Sequence, residues 1–467
     1  MGAHLEKTKI HIVGSGLAGS EAAWFLSRFA DSANLEIHLY EMRPKKMTEA
    51  HKTDRCAELV CSNSFKTTNP ISAPGMMKTE MREMGSLALE AAEVAKVPAG
   101  EALAVDRDVF AEFVTRKISS ETKIIRHAEE VVRPFDDGIT LFATGPLTSE
   151  PLANWILQAT AKAAGREGEG DLYFYDAIAP IVEATSIDRE IAFLANRYDK
   201  GGEEAYLNCP LTEEEYHAFI DALLAAEKVP PKNFEKEILF QGCQPIESIA
   251  ATGRDTLRFG PMKPVGLTDP RTGRRPYACV QLRAENKSLT AYNLVGFQTK
   301  LKYGGQAKIF RMIPALRNAE FLRLGSIHRN TYVCGPRALR ADLSLRGNPK
   351  VYLAGQITGV EGYLESAACG LMAANFILDR VLGRPLDVPP VNSAMGALLR
   401  YVTGSDPEHY QPINACFAIY DPAVFEGTAG LRKDDLRKAM AEQAIRNFRG
   451  WWSPKSRGAI DSATVAG

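Results

Sequence analysis

Three groups of residues in this sequence have types and spacing that could do chemistry. Gly14-Ser15-Gly16-Leu17-Ala18-Gly19 is a glycine loop of the kind that lets backbone N–H groups approach a phosphate. Cys61, in Ala57-Glu58-Leu59-Val60-Cys61-Ser62-Asn63-Ser64, and Cys243, in Phe240-Gln241-Gly242-Cys243-Gln244-Pro245, are the cysteines that could do chemistry, with an inert buried thiol as the commoner reading of any single cysteine. The Gly, Gln and Pro around Cys243 place it on a turn, where Arg254 or Arg258 would raise its thiolate fraction. The third group is a basic stretch. Ala251 to Lys350 holds 19 Lys and Arg against 5 Asp and Glu, in a chain whose totals are 56 and 57. A basic block inside an otherwise acidic chain points to a polyanionic partner, with a solvated basic face as the competing reading. Arg254, Arg258, Arg271, Arg274 and Arg275 are its candidate contacts. Tyr277, Tyr292, Phe297, Tyr303 and Phe310 are candidate stacking groups, although most of them are expected in a core.

The elements that must position these residues follow from the apolar periodicity. Lys9 to Val13 reads as a buried strand, the glycine loop follows at once, and Ser20 to Phe29 has helical spacing. A second strand, Leu35 to Tyr40, ends on Glu41. Strand, loop, helix, strand and acid together make a dinucleotide fingerprint, which a lone glycine pattern would not. Gly14 permits the turn, Gly16 the approach of a pyrophosphate, and Gly19 close packing of the helix. Glu41 lies 22 residues past Gly19, where a carboxylate can grip ribose hydroxyls, and Arg43 beside it joins the cofactor-binding set. The N-terminal position of the fingerprint favours FAD over NAD. Two later segments agree with FAD. Gly138 to Gly145 is a strand closing on Ala143-Thr144-Gly145, similar to the strand-end signature of the glutathione-reductase-type fold. Asn348 to Gly355 is another late strand, followed by Gln356, Gly362, Tyr363 and a small-residue helix to about Leu378. In that fold such a helix directs its N-terminus at the flavin ring, where its dipole favours negative charge.

Both ends of the chain therefore feed one domain, and the middle is an insertion. The expected class is α/β, a glutathione-reductase-type FAD-binding fold with an inserted α+β domain. The expected boundaries are 1–100, 126–190 and 330–450 for the FAD-binding domain, 191–329 for the basic insertion, and 451–467 for a frayed tail. Within the insertion, Thr212 opens a capping-box helix, and Ala278–Arg283 and Tyr292–Phe297 alternate as antiparallel strands. A length of 467 residues suits two or three domains, and 45% hydrophobic content is ordinary for a globular protein. No apolar run of about 18 residues suggests a membrane span, and Met1 to Lys9 has no signal-peptide character. Eight cysteines in a chain this long point to thiols in a cytoplasmic setting, and no Cys/His spacing suits a metal.

These segments together resemble the folate- and FAD-dependent tRNA uracil-5-methyltransferase family over nearly the whole chain. The carrying motifs are Gly14 to Ala23, Ala57 to Ser64, Tyr206-Leu-Asn-Cys-Pro210 with Thr212 to Tyr216, Phe240 to Glu247, Pro261-Met-Lys-Pro-Val-Gly-Leu267 and Gly355 to Tyr363. The resemblance implies C5-methylation of the T-loop uridine of tRNA, with methylenetetrahydrofolate as one-carbon donor and NAD(P)H reducing the FAD. It implies that Cys243 attacks uracil C6 and that Cys61 acts near the flavin. It implies no metal, membrane or DNA partner. Cys56 stands where the family usually has another residue, and Gln241 and Gln244 also differ from the commoner choices. Two other readings stay open on the residues alone. One is a flavin-dependent disulfide reductase using Cys56 and Cys61, against which stands the lack of a second nucleotide fingerprint. The other is an RNA-binding flavoprotein whose redox state regulates binding without turnover.

Overall fold

The structure is a computed structural model that describes residues 7–48, 50–163, 172–199, 205–229 and 244–464. Its first layer is a sheet built around β1 (Thr8–Val13), which is followed by helix α1 (Leu17–Ser27) and strand β2 (Leu35–Glu41). The strand order across this sheet is Ser344–Leu345, Asn348–Leu353, Ile139–Phe142, β1, β2, Ile124–Ala128. All neighbours are parallel except the first pair. Ile10, Ile12, Ile37, Leu39, Leu141, Phe142, Val351 and Leu353 are buried, as strands covered on both faces require. The register aligns Val13 with Tyr40 and with Phe142, and Phe142 with Leu353. Four strands thus end at one level, and the glycine loop leaves the sheet there. A sheet of this kind offers its ligand crevice at those carboxyl ends.

Helix α1 packs against the long helix Tyr363–Val381 at small residues. A Cβ on Gly370 would lie 2.2 Å from the Ala18 carbonyl oxygen, so the two backbones meet only because Gly370 has no side chain. Strand Asn348–Leu353 and helix Tyr363–Val381 match the late strand and helix expected from the sequence.

The second layer is a six-stranded antiparallel sheet, ordered Phe193–Leu194, Tyr206–Leu211, Ala278–Ala284, Ala291–Leu294, Ile181–Glu183, Phe321–Arg323. Helix Glu213–Ala225 covers it, opened by the expected capping box between Thr212 and Glu215. Tyr216, Phe219, Phe297 and Phe310 fill its core. An antiparallel ribbon, Leu172–Ile178 with Ser326–Tyr332, carries the chain between the two layers.

Three expectations need correction. Strand Ile181–Glu183 pairs with Ala291–Leu294 and Phe321–Arg323, so it lies in the inserted sheet and not in the 126–190 segment of the first domain. The stretch 101–125, left out of that domain, contributes helix Arg107–Ser120, whose Phe110 and Ile118 are buried in the first core. The segment after Gly450 is no frayed tail, because helix Lys433–Thr464 runs through it. Trp452 anchors that helix, 7% exposed, with its indole N–H donating to the Glu83 carbonyl at 2.9 Å. Its aromatic bulk binds the helix to the domain more strongly than the surrounding polar residues suggest. Among the described residues no helix is long and apolar enough to cross a membrane.

Candidate active site

The glycine loop borders an open cleft lined by Gly14, Gly16, Glu41, Arg43, His51 and Thr148, among others. Each glycine has a different physical reason. Gly14 has φ +101°, and a Cβ there would lie 2.6 Å from the Ala143 carbonyl oxygen. A Cβ on Gly19 would lie 1.8 Å from the Gly14 carbonyl oxygen. A Cβ on Gly16 meets nothing within 4 Å, so the space beside it is free for a ligand. Ser20 N–H is bonded to the Gly16 carbonyl at 2.9 Å, which leaves the N–H groups of Leu17, Ala18 and Gly19 ahead of it without intrahelical acceptors. An open wall beside unpaired donors at a helix N-terminus suits a pyrophosphate.

Glu41 closes the other side. It accepts from the Ser15 hydroxyl at 2.7 Å and from Arg43 Nε and Nη2, each at 2.9 Å. Burial works to raise its carboxyl, but the Arg43 guanidinium and the Ser15 hydroxyl outweigh that and hold it down to about 2. Arg43 also donates to the Thr53 carbonyl and to Glu58, so it ties the loop that leads to Cys61 onto the same acid. His51 is pushed down to about 4, first by burial and then by Arg43, and therefore faces the cleft as a neutral imidazole. Gly145, at φ +67°, has open space where a Cβ would stand.

Cys61 is half-buried on the loop between β2 and strand Ser64–Thr67. Ala57 N–H donates to the Ser15 carbonyl at 2.8 Å, which binds this loop to the glycine loop. At its far end Cys61 N–H donates to the Tyr363 hydroxyl at 2.7 Å. Tyr363 is the first residue of helix Tyr363–Val381, behind Gly362, whose φ of +117° only glycine adopts freely. Gly355, at φ +79°, sits against Ala18, and Gln356 donates to Glu361 at 2.7 Å. Glu365, in the first turn of the helix, is buried and paired with Lys66, and its Oε1 accepts from Ala415 N–H at 2.6 Å. The fold thus brings Cys61, Gly362 and Tyr363 to one helix N-terminus. Cys243 lies outside the described residues. The described residues resume at Gln244, and Ile246 N–H donates to the Gln298 carbonyl at 2.7 Å.

The two arginines assigned to Cys243 have other partners. Arg254 donates to Asp221 at 2.7 Å and to His217. Arg258 stacks its guanidinium 3.6 Å from the centre of the Tyr277 ring and donates to the Tyr277 carbonyl. Arg271 is held bidentate by Asp269, while Arg274 and Arg275 are exposed and make no ion pair among the described residues. Tyr292, Phe297 and Phe310 are buried, which removes them as stacking groups. Tyr303 stays exposed, and Phe259, which the sequence did not single out, is 82% exposed.

Residues 9–385 match the family model described as glucose inhibited division protein A, GidA. The methylenetetrahydrofolate–tRNA-(uracil-5-)-methyltransferase TrmFO of Geobacter sulfurreducens is 48% identical over 442 residues, 95% of this chain and 98% of that protein. The protein of the same name from Koribacter versatilis is 50% identical over 446 residues, 95% of this chain and 98% of that protein. The chain belongs to the GidA family, in its TrmFO branch. A solved structure of Aquifex aeolicus GidA superposes with a TM-score of 0.64 at 15% identity, covering 95% of this chain and 78% of that one, which shows the shared fold. The FAD-binding α/β fold expected from the glycine loop is thus the fold of the GidA family.

In this TrmFO-branch chain the sequence missed the groups that hold the Cys61 loop. Arg107 and Arg323 both donate to the Cys61 carbonyl, at 2.8 and 3.0 Å. Asn63 donates to the carbonyls of Val105 and Ala284 and accepts from Arg283 Nε, which joins the two domains beside Cys61. Asn63 lies within the Ala57 to Ser64 motif. No local signal marks Arg107, and Arg323 was only one charge in the basic count.

Proposed function

We propose that the chain is a methylenetetrahydrofolate- and FAD-dependent methyltransferase acting on C5 of the T-loop uridine of tRNA, with NAD(P)H as reductant. The observation that carries this reading is the match to the TrmFO proteins, 48–50% identical over 95% of the chain, joined to a Cys61 loop held between the dinucleotide cleft and the basic insertion. The residues present fit FAD. The helix N-terminus behind Gly16 would take the pyrophosphate, Glu41 the ribose, and the N-terminus at Gly362 and Tyr363 the flavin. Bound there, FAD supplies the one-carbon transfer from methylenetetrahydrofolate and the hydride that completes the methyl group.

The chain's own residues do the rest. Uracil C5 is a weak nucleophile, and addition of the Cys243 thiolate to C6 makes C5 enolate-like. When C5 has taken the carbon and lost its proton, and the methyl group is complete, the enolate expels the thiolate from C6 and the 5,6 double bond returns. Cys61 is the second cysteine of the reaction, acting at the flavin end. The uridine must be extruded from its loop to reach this site. The exposed Arg274 and Arg275 would meet backbone phosphates, and Phe259 would stack on an unpaired base. Arg258 precedes Phe259 and stacks on Tyr277, two residues past Arg275, which brings the two segments side by side.

The disulfide-reductase reading is disfavoured by Cys56. Its side chain is fully buried and burial pushes its thiol up, the opposite of what thiol exchange needs. The deciding experiment uses a T-arm transcript with 5-fluorouridine at the target position. Fluorine cannot leave C5 as a proton would, so a covalent protein–RNA species that survives denaturation is expected. It should vanish in Cys243→Ala, while FAD and RNA binding remain. Full methylation by Cys243→Ala would remove this nucleophile from the mechanism, and a protein that takes up no FAD would remove the whole reading.

A further inference from the structure

Two arginines from different domains converge on the Cys61 loop. Arg107 opens helix Arg107–Ser120 of the first domain, and Arg323 ends strand Phe321–Arg323 of the inserted sheet. Arg107 donates to the carbonyls of Leu59 and Cys61, at 3.0 and 2.8 Å. Arg323 donates to the carbonyls of Val60 and Cys61, at 3.2 and 3.0 Å. Three successive carbonyls are thereby gripped from two sides.

The charges in this cluster do not balance. Glu285 is committed to Arg107, its Oε2 lying 2.6 Å from Arg107 Nε. Arg323 makes no ion pair among the described residues, and the Nε atoms of both arginines are buried without a hydrogen-bond partner. Burial first, and then the neighbouring Arg107, push the Arg323 guanidinium down to about 10, against the opposing pull of Glu285. Two guanidinium groups with one carboxylate in a desolvated cluster is an unfavourable arrangement for stability alone. Unfavourable electrostatics retained in a folded protein gather where turnover uses them.

We propose that Arg323 is a positioning residue of the reaction, which locks the Cys61 loop only when the inserted sheet is docked and leaves one positive charge that an anion formed during turnover balances. This rests on Cys61 being part of the catalytic machinery. Through Arg323 the domain that carries the basic face reports its position to the loop that carries the thiol. Among the described residues the hydrogen bonds of Arg323 go to backbone carbonyls, so it acts through Cys61.

The test compares Arg323→Met and Arg323→Lys as FAD-loaded full-length proteins. In Arg323→Met the remaining Arg107–Glu285 pair is balanced, so the melting temperature is expected to hold or rise. Its kcat for T-arm methylation should fall at least about tenfold, with unchanged FAD content and unchanged KM for tRNA. Arg323→Lys keeps the charge but not the planar fork, and should recover part of that kcat. Wild-type kcat in Arg323→Met would overturn the proposal. So would a loss of kcat that Lys does not relieve and that comes with a lowered melting temperature in both variants, because that is the signature of scaffolding. Cys61→Ala is measured in parallel. If it turns over normally, the catalytic reading of Cys61 fails, and the proposal fails with it. If it is inactive, the Arg323 variants judge the proposal by themselves.

Discussion

The backbone N–H of Cys61 donates to the hydroxyl of Tyr363 at 2.7 Å, across 302 residues of sequence. This one bond joins the loop after β2 to the N-terminus of the helix that packs on α1. Tyr363 is partly buried, and desolvation of its hydroxyl, followed by the neighbouring Cys61, pushes that hydroxyl above the ordinary tyrosine range.

Tyr363→Phe should therefore leave the Cys61 amide without a partner. A lost hydrogen bond of this kind costs about 0.5–1.5 kcal/mol. Denaturant unfolding should report a loss of that size, and amide exchange in the peptide 57–64 should quicken while that of β1 does not. Unaltered exchange at Cys61 would mean the bond is not formed in solution.

Gly16→Glu should give folded, colourless protein. The new side chain points into open cleft, so it meets no wall, but it sets a negative charge where a pyrophosphate would lie. Flavin absorbance per chain should fall from about one to near zero, with circular dichroism unchanged. Gly19→Ala is the contrasting variant: its Cβ would meet the Gly14 carbonyl, and it should lose stability as well as flavin.

Phe259→Ala and the double variant Arg274→Glu, Arg275→Glu should weaken tRNA binding in distinguishable ways. Stacking on a base is worth about 1–3 kcal/mol and does not release counterions, so Phe259→Ala should lower affinity at every salt concentration with an unchanged salt slope. The arginine variant should flatten the slope of log affinity against log salt, by about 0.7–0.9 for each phosphate that the protein no longer neutralises. A slope change in Phe259→Ala would show that the surface itself had moved.

Glu41 predicts an acid dependence of stability. Its carboxyl is held at about 2 in the fold against an ordinary value of 4.5. A depressed carboxyl stabilises the fold above its unfolded pKa, and the contribution disappears as pH falls through the folded value. The stability difference between wild type and Glu41→Gln should therefore be full above about pH 4.5 and shrink towards pH 2. Its full size is on the order of 3 kcal/mol, because a tenfold change in proton affinity between the unfolded and folded chain corresponds to about 1.4 kcal/mol. A difference constant from pH 6 to pH 3 would mean that Glu41 does not carry this charge.

Much of the first domain was legible in the sequence because its demands are local. Gly14 must adopt a positive φ, Gly19 must clear the Gly14 carbonyl, and Glu41 must end the next strand, all within 28 residues. The capping box at Thr212 is just as local and was equally readable. Tertiary structure decided which residues have partners. Arg254 finds Asp221 and Arg258 finds Tyr277 through folding, so a basic count could not tell committed arginines from the exposed Arg274 and Arg275. Tyr292, Phe297 and Phe310 alternate in sequence much as surface aromatics could, and only packing put them inside and Phe259 outside. The clamp on Cys61 draws Arg107 from 46 residues away and Arg323 from 262. Contacts of that span leave no period or spacing in the chain, because they form only when an inserted sheet folds back onto the loop it must hold.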